Sequence, residues 1–191
     1  KWQDERTLVF RLHEGVRFHN KPPVNGRELT AEDVVYSLQR AATDDPRFVR
    51  RGQFTTVERF EVVDKYTLRI VQKQPFVPIL NYLTWNGVPV DFPKELDKQF
   101  GVDNAWKMPT SMIAAGPFMV SSHSPGVGIV MTKNPTYYKA GRPYLDQVRA
   151  HVIPDQATLL AAYRTRRIDV GSGVAAGGLT AGQKQDLSRT N

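Results

Sequence analysis

The chain has 191 residues, 40% hydrophobic and 24% charged, a balance that fits an ordinary globular protein and excludes a disordered or low-complexity one. Cysteine is absent, which excludes disulfides, thiol catalysis and cysteine-ligated metal centres. A net charge of +7 invites an anionic partner, yet the basic residues are scattered, with no aromatic-interleaved stripe of the kind that grips nucleic acid, and no apolar run approaches the length of a membrane span.

In chain order, Thr7 to His13 (TLVFRLH) alternates apolar and polar residues and predicts a strand, which Arg17 to His19 extends. Residues 20 to 28 form a loop, with Pro22-Pro23 and Asn25-Gly26 as turn formers. A helix is predicted over Ala31 to Ala42. Thr30 can cap it, Asp33 has the capping-box spacing, and Val34, Leu38 and Ala41 or Ala42 form its apolar stripe. Asp44 to Gly52 is a polar loop. Val57 to Val63 and Thr67 to Lys73 predict a strand pair around Asp64-Lys65-Tyr66. Short helices follow at Pro78 to Leu83 and at Lys94 to Phe100. Val88 to Phe92 lies between them as a brief extended piece, and Gly101 ends the second helix.

Two more strands are predicted at Pro117 to Ser122 and Gly128 to Lys133, joined by a turn at Ser124-Pro125-Gly126, and another at Leu145 to Ile153. Asp155 to Arg166 reads as an amphipathic helix with Leu159, Leu160 and Tyr163 toward the core. Ile168-Asp169-Val170 reads as a short strand and Leu179 to Leu187 as the start of a helix. Strands and helices mix without strict alternation, so the fold class is mixed α/β, close to α+β.

Motifs for chemistry fail on spacing. His13-Glu14 opens like the HExxH zinc signature, but the position of its second histidine holds Arg17, and Gly15 and the prolines oppose the helix it needs; no metal is expected at His13 or His19. Gly171, Gly173 and Gly177 follow a short strand, but their GxGxxxG spacing departs from the dinucleotide fingerprint, and no cofactor is expected. Ser121, Ser122 and Ser124 flank His123 without a GxSxG elbow. No carboxylate stands isolated in an apolar setting that would raise its pKa. The chain reads as a binding or scaffold protein, not an enzyme.

The order of five segments carries more than any single motif. They are LVFRLHEGVRFH, LTAEDVVYSLQRA, VERFEVVDKYTLRIVQKQPFVPIL, AAGPFMV and KNPTYYKAGRPYLDQVRAHVIPDQATLLAAYRTRRIDV. Together, across nearly the whole chain, they resemble family 5 of the bacterial extracellular solute-binding proteins, the dipeptide- and oligopeptide-binding components of ABC importers. The loop NKPPVNGREL is longer than the family's common short turn, and Arg167 stands where a glycine is usual.

The resemblance implies a two-lobed periplasmic-binding-protein fold that closes over its ligand. Residues 1–170 would form part of lobe one, and 171–191 would start the segment leading toward the second lobe. The start without methionine and the end inside a predicted helix suggest boundaries within a longer protein. The family also implies a peptide or similar small solute as ligand, ABC permease subunits as partners, no nucleic acid, and a place in the periplasm or on the outer face of the cytoplasmic membrane. The residues expected to face the cleft are Phe54 in the segment Phe48 to Phe54, Trp85 and Asn86 at a turn, and Gly171, Ser172 and Gly173, where a bare backbone lets a ligand come close. The segment around His13 and His19 becomes scaffold. An alternative stays open, a basic nucleic-acid-binding or regulatory domain built on a solute-binding fold; a steep salt dependence of DNA binding would mark it.

Overall fold

The computed structural model describes residues 1–84, 91–105, 112–169 and Gly182. Its elements are β1 (Thr7–Arg11), α1 (Ala31–Ala42), a 3-10 turn (Arg51–Phe54), β2 (Val57–Asp64), β3 (Thr67–Gln72), α2 (Ile79–Thr84), α3 (Lys94–Phe100), β4 (Phe118–Ser124), β5 (Gly128–Lys133), β6 (Gln147–His151) and α4 (Gln156–Arg164). The mixed α/β class expected from the sequence is what the elements form. By compactness the chain divides into two units. One is Lys1–Ser121 with Met131–Val148; the other is Ser122–Val130 with the chain from Arg149 onward.

The first sheet has the order β1-β3-β2, antiparallel throughout. Alternation sends Leu68, Ile70 and Gln72 of β3 to one face, all buried, and α1 packs over the sheet with Val34, Val35, Leu38 and Ala41. Phe18, Val24 and Leu29 of the proline-rich segment join this core, so that loop is more than polar scaffold. Lys1 to Gln3 fold back along β1, where the Val9 N–H donates to the Lys1 carbonyl at 2.9 Å and Trp2 bridges Leu8. Strand β2 takes the other edge, with register shifts between Val57 and Arg59 and between Val62 and Asp64.

Helix α1 starts and stops where its sequence signals stand. The Asp33 carboxylate accepts the Thr30 N–H at 3.0 Å and the Thr30 hydroxyl at 3.3 Å, which satisfies an orphan donor of the first turn. Replacing Thr30 by alanine should lower stability by about 0.5–2 kcal/mol. An unchanged urea midpoint would show that Asp33 carries the cap without it. Helix α3 ends at Gly101, whose φ of 76° lets its N–H turn back to the Asp97 carbonyl at 2.9 Å.

Strands β4, β5 and β6 make the second sheet in that order. The predicted Ser-Pro-Gly turn is present, with the Val127 N–H donating to the Ser124 carbonyl at 3.0 Å. At Gly128 a Cβ would clash with the Ala150 carbonyl oxygen, so only glycine allows that backbone approach.

Two expectations are corrected. Helix α4 forms, with Asp155 capping it by accepting the Thr158 N–H at 2.7 Å, but Leu159, Leu160 and Tyr163 remain half-exposed and no residue of the helix is buried. The described residues of its own unit supply no buried core for that face to join. Ile168 and Asp169 are not in a strand, and Val170 and the predicted helix from Leu179 lie outside the described residues, apart from Gly182.

Candidate functional site

Of the cleft candidates, Phe54 lies within the described residues. Trp85, Asn86, Gly171, Ser172 and Gly173 lie outside them, so the structure brings none of these together with Phe54. Phe54 is 4% exposed, edge-on to Phe60 with ring centroids 5.9 Å apart; it packs inward rather than offering a ring to solvent.

The segment leading to it is wound rather than loose. Asp45 accepts the Arg47 N–H at 2.9 Å, the Phe48 N–H reaches the Asp45 carbonyl, and successive turns run from Phe48 to Arg51 and from Arg50 to Gln53. Local carboxylate-to-backbone bonds of this kind explain why a stretch read as a polar loop forms turns and a 3-10 element. Val49 stands exposed at its tip.

Beside the segment, Tyr36, Arg40, Asp45, Arg47, Phe48 and Asp97 line an open depression of about 310 Å³. The Arg40 guanidinium lies over the Phe92 ring at 4.3 Å and near the Phe48 ring at 5.1 Å, and donates to Asp97 at 2.7 Å. The Tyr36 hydroxyl donates to the same carboxylate at 2.7 Å. Burial, with Asp97 adding to it, pushes the Tyr36 phenol up to about 12, so it stays a neutral donor. Arg47 is paired with Asp45 and Asp103. Charges matched in this way hold the shape of the depression. Among the described residues no group of three or more His, Asp or Glu could hold a metal ion.

The two histidines of the opening segment are tied into the scaffold. His13 stacks on Tyr138 at 5.5 Å. His19 is buried, and both ring nitrogens are engaged: Nε2–H donates to the Gly116 carbonyl at 3.1 Å, and Nδ1 accepts the Ala114 N–H at 3.3 Å. Lys21 donates to the Val120 carbonyl, and buried Asn134 donates to Gly116 at 3.0 Å. This cluster joins His19 and Lys21 to residues 114–120. Nothing in local sequence pattern pairs His19 with Gly116, which lies 97 residues on.

Burial pushes the His19 imidazole below its ordinary 6.5, and the Lys21 ammonium pushes the same way. The unfolded chain therefore binds the proton more readily than the folded one. The stabilising effect of neutral His19 is present above about pH 6.5 and is lost as pH falls from there through the folded value. Urea midpoints taken from pH 8 to pH 5 should fall for the natural chain and fall less for His19→Gln. Equal slopes would remove His19 as the titrating group.

The chain is similar to a family model, to a binding protein and to two solved structures. The family model described as bacterial extracellular solute-binding proteins, family 5 Middle, matches residues 1–189. The glutathione-binding protein GsiB of Pectobacterium atrosepticum is 28% identical over 162 residues, covering 85% of this chain and 30% of that protein. Among solved structures, the oligopeptide-binding protein AppA of Bacillus subtilis, in complex with a nonapeptide, covers 100% of this chain and 36% of its own at a TM-score of 0.80, with 22% identity, which shows the fold alone. NikA from Brucella suis, in complex with Fe(III)-EDTA, covers 88% of this chain and 32% of its own at a TM-score of 0.67 and 26% identity. The chain thus spans about a third of the length of these relatives.

Proposed function

Since the chain belongs to family 5 of the bacterial extracellular solute-binding proteins, we propose that it supplies part of one lobe of a two-lobed binding protein. That protein captures a peptide or similar small solute outside the cytoplasmic membrane and hands it to the permease of an ABC importer. The observation that carries this reading is the family match over residues 1–189. The relatives named above are binding proteins, which supports capture without turnover.

In this reading residues 1–170 belong to the lobe and 171–191 start toward its partner. Trp85, Asn86, Gly171, Ser172 and Gly173 face the solute, and Phe54 underlies the wound segment at the cleft's rim. The solute lies extended, its main chain pairs with protein backbone, and closure of the lobes removes bulk water and strengthens those polar contacts. Mass spectrometry of the two-lobed protein, purified from the cell envelope without denaturant, tests the proposal. The expected result is a peptide or small solute released in near-stoichiometric amount on denaturation. A protein that carries no solute and binds DNA with a steep salt dependence would overturn it.

A further inference from the structure

His19 clasps a stretch of backbone far along the chain. Its main-chain N–H donates to the Ala114 carbonyl at 2.8 Å. Its ring works in both directions: Nδ1 lies 3.3 Å from the Ala114 N–H, and Nε2 lies 3.1 Å from the Gly116 carbonyl. These partners fix where the ring proton sits. A backbone N–H can only donate and a carbonyl can only accept, so Nδ1 must be bare and Nε2 must carry the proton. One form of the imidazole meets both demands, the neutral Nε2–H tautomer. The other neutral tautomer and the imidazolium both set an Nδ1–H against the Ala114 N–H. At 3% exposure, His19 has no bulk water to relieve that clash of donors.

The neighbouring bonds do not depend on the ring. Ile113 sits in the hydrophobic core, and the Asp91 carboxylate accepts the Ala115 N–H at 2.8 Å. Asn134 donates to the Gly116 carbonyl through its side chain and to the Pro117 carbonyl through its main chain, and Lys21 donates to the Val120 carbonyl. Two charged groups face the ring, Lys21 from its own segment and Asp91 from the residues before α3. Burial and Lys21 oppose a positive imidazole; the Gly116 carbonyl, Asp91 and the Met112 backbone favour it without outweighing burial. Among the described residues, the hydrogen-bond partners of the ring nitrogens are Ala114 and Gly116, not α1 or the first sheet.

We propose that His19 is a proton-operated latch: as the neutral Nε2–H tautomer it holds residues 114–116, and on taking up a proton at Nδ1 it releases the Ala114 N–H and opens that stretch while α1 and the first sheet stay folded. The released residues lead directly into β4, so acid loosens the entry to that strand.

The test uses the 15N-labelled protein. Ring nitrogen shifts at about pH 8 should report the Nε2–H tautomer. Hydrogen exchange at the Ala114 amide is scaled to the rate of an unstructured amide at the same pH. Its protection should fall severalfold, up to about tenfold, between about pH 7.5 and 5.5, because the opened ring titrates near its ordinary 6.5 and the closed one below it. Exchange at Ala114 should not respond to low urea, whereas exchange at Leu38 in α1 should, since a local opening exposes little surface. In His19→Gln, or in His19→Asn if the first does not fold, protection at Ala114 should not vary with pH. An Nδ1–H tautomer, or protection at Ala114 that is independent of pH in the natural protein, would overturn the proposal. So would a urea response equal to that of Leu38, which would make the loss global unfolding, or a pH effect that persists in the variant.

Discussion

The 191-residue chain alone, titrated calorimetrically with a random tri- to pentapeptide pool, should bind no more tightly than about 1 mM, while the two-lobed protein should bind in the micromolar range, roughly a thousandfold apart. The reason is geometric. A clamp makes its contacts from both lobes, and this chain spans about a third of the length of its relatives. A groove open on one side leaves solute hydrogen bonds exchanging with water, each netting about 1 kcal/mol or less. The ordering cost of the peptide, several kcal/mol, is unchanged. Micromolar binding by the chain alone would show that one lobe suffices, and would remove the basis for placing only half a site at Trp85, Asn86 and Gly171 to Gly173.

Arg27→Ala should destabilise the fold more than any surface change, by about 3 kcal/mol. The Arg27 guanidinium forks onto Asp33 at 2.6 and 2.8 Å and onto Glu95 at 2.6 and 2.8 Å, so one side chain joins the start of α1 to α3. It also lies over the Phe18 ring at 4.9 Å. Asp33 is 2% exposed, and removing its partner leaves a carboxylate buried in the helix cap. Partial exposure of Arg27 and Glu95 keeps the loss toward the lower end of the range measured for broken buried pairs. The acid limb should change as well. The Arg27 hydrogen bonds hold Glu95 below its ordinary 4.5, so this stabilisation is present above about pH 4.5 and lost as pH falls through the folded value. The variant should lose that part of the acid dependence. Arg27→Lys keeps the charge without the fork and should fall between the two in urea midpoint. A midpoint unchanged in Arg27→Ala would mean that Asp33 is satisfied without it.

Local patterns predicted local structure well. The period of Val34, Leu38 and Ala41 and the Thr30–Asp33 spacing marked α1, and the alternation in β2 and β3 marked their pairing. What pattern could not reveal was pairing across long gaps. Arg27 meets Glu95 68 residues on, and both look like ordinary surface charges until the fold brings them together. Gln72 ends a good strand, and the sequence gives no sign that its amide is wholly buried. Helix α4 erred the other way. Its apolar spacing is real, but periodicity says only which face is apolar and not whether the same unit covers it. The wound turns after α1 escaped notice because Asp45, a frequent surface residue, forms them by bonding its own backbone neighbours. Five of the cleft residues were placed by resemblance and lie outside the described residues, so the site remains less legible than the fold.

The edges of the β1-β3-β2 sheet bear on whether another chain can add a strand to it. Lys1 to Gln3 already occupy the β1 edge, so no strand of another chain can add there without displacing them. The β2 edge carries Glu58, Arg59 and Glu61, paired among themselves, and two register shifts make its ladder with β3 irregular. Intermolecular strand addition, the usual first step of β-aggregation, therefore meets an occupied border on one side and a charged, irregular one on the other.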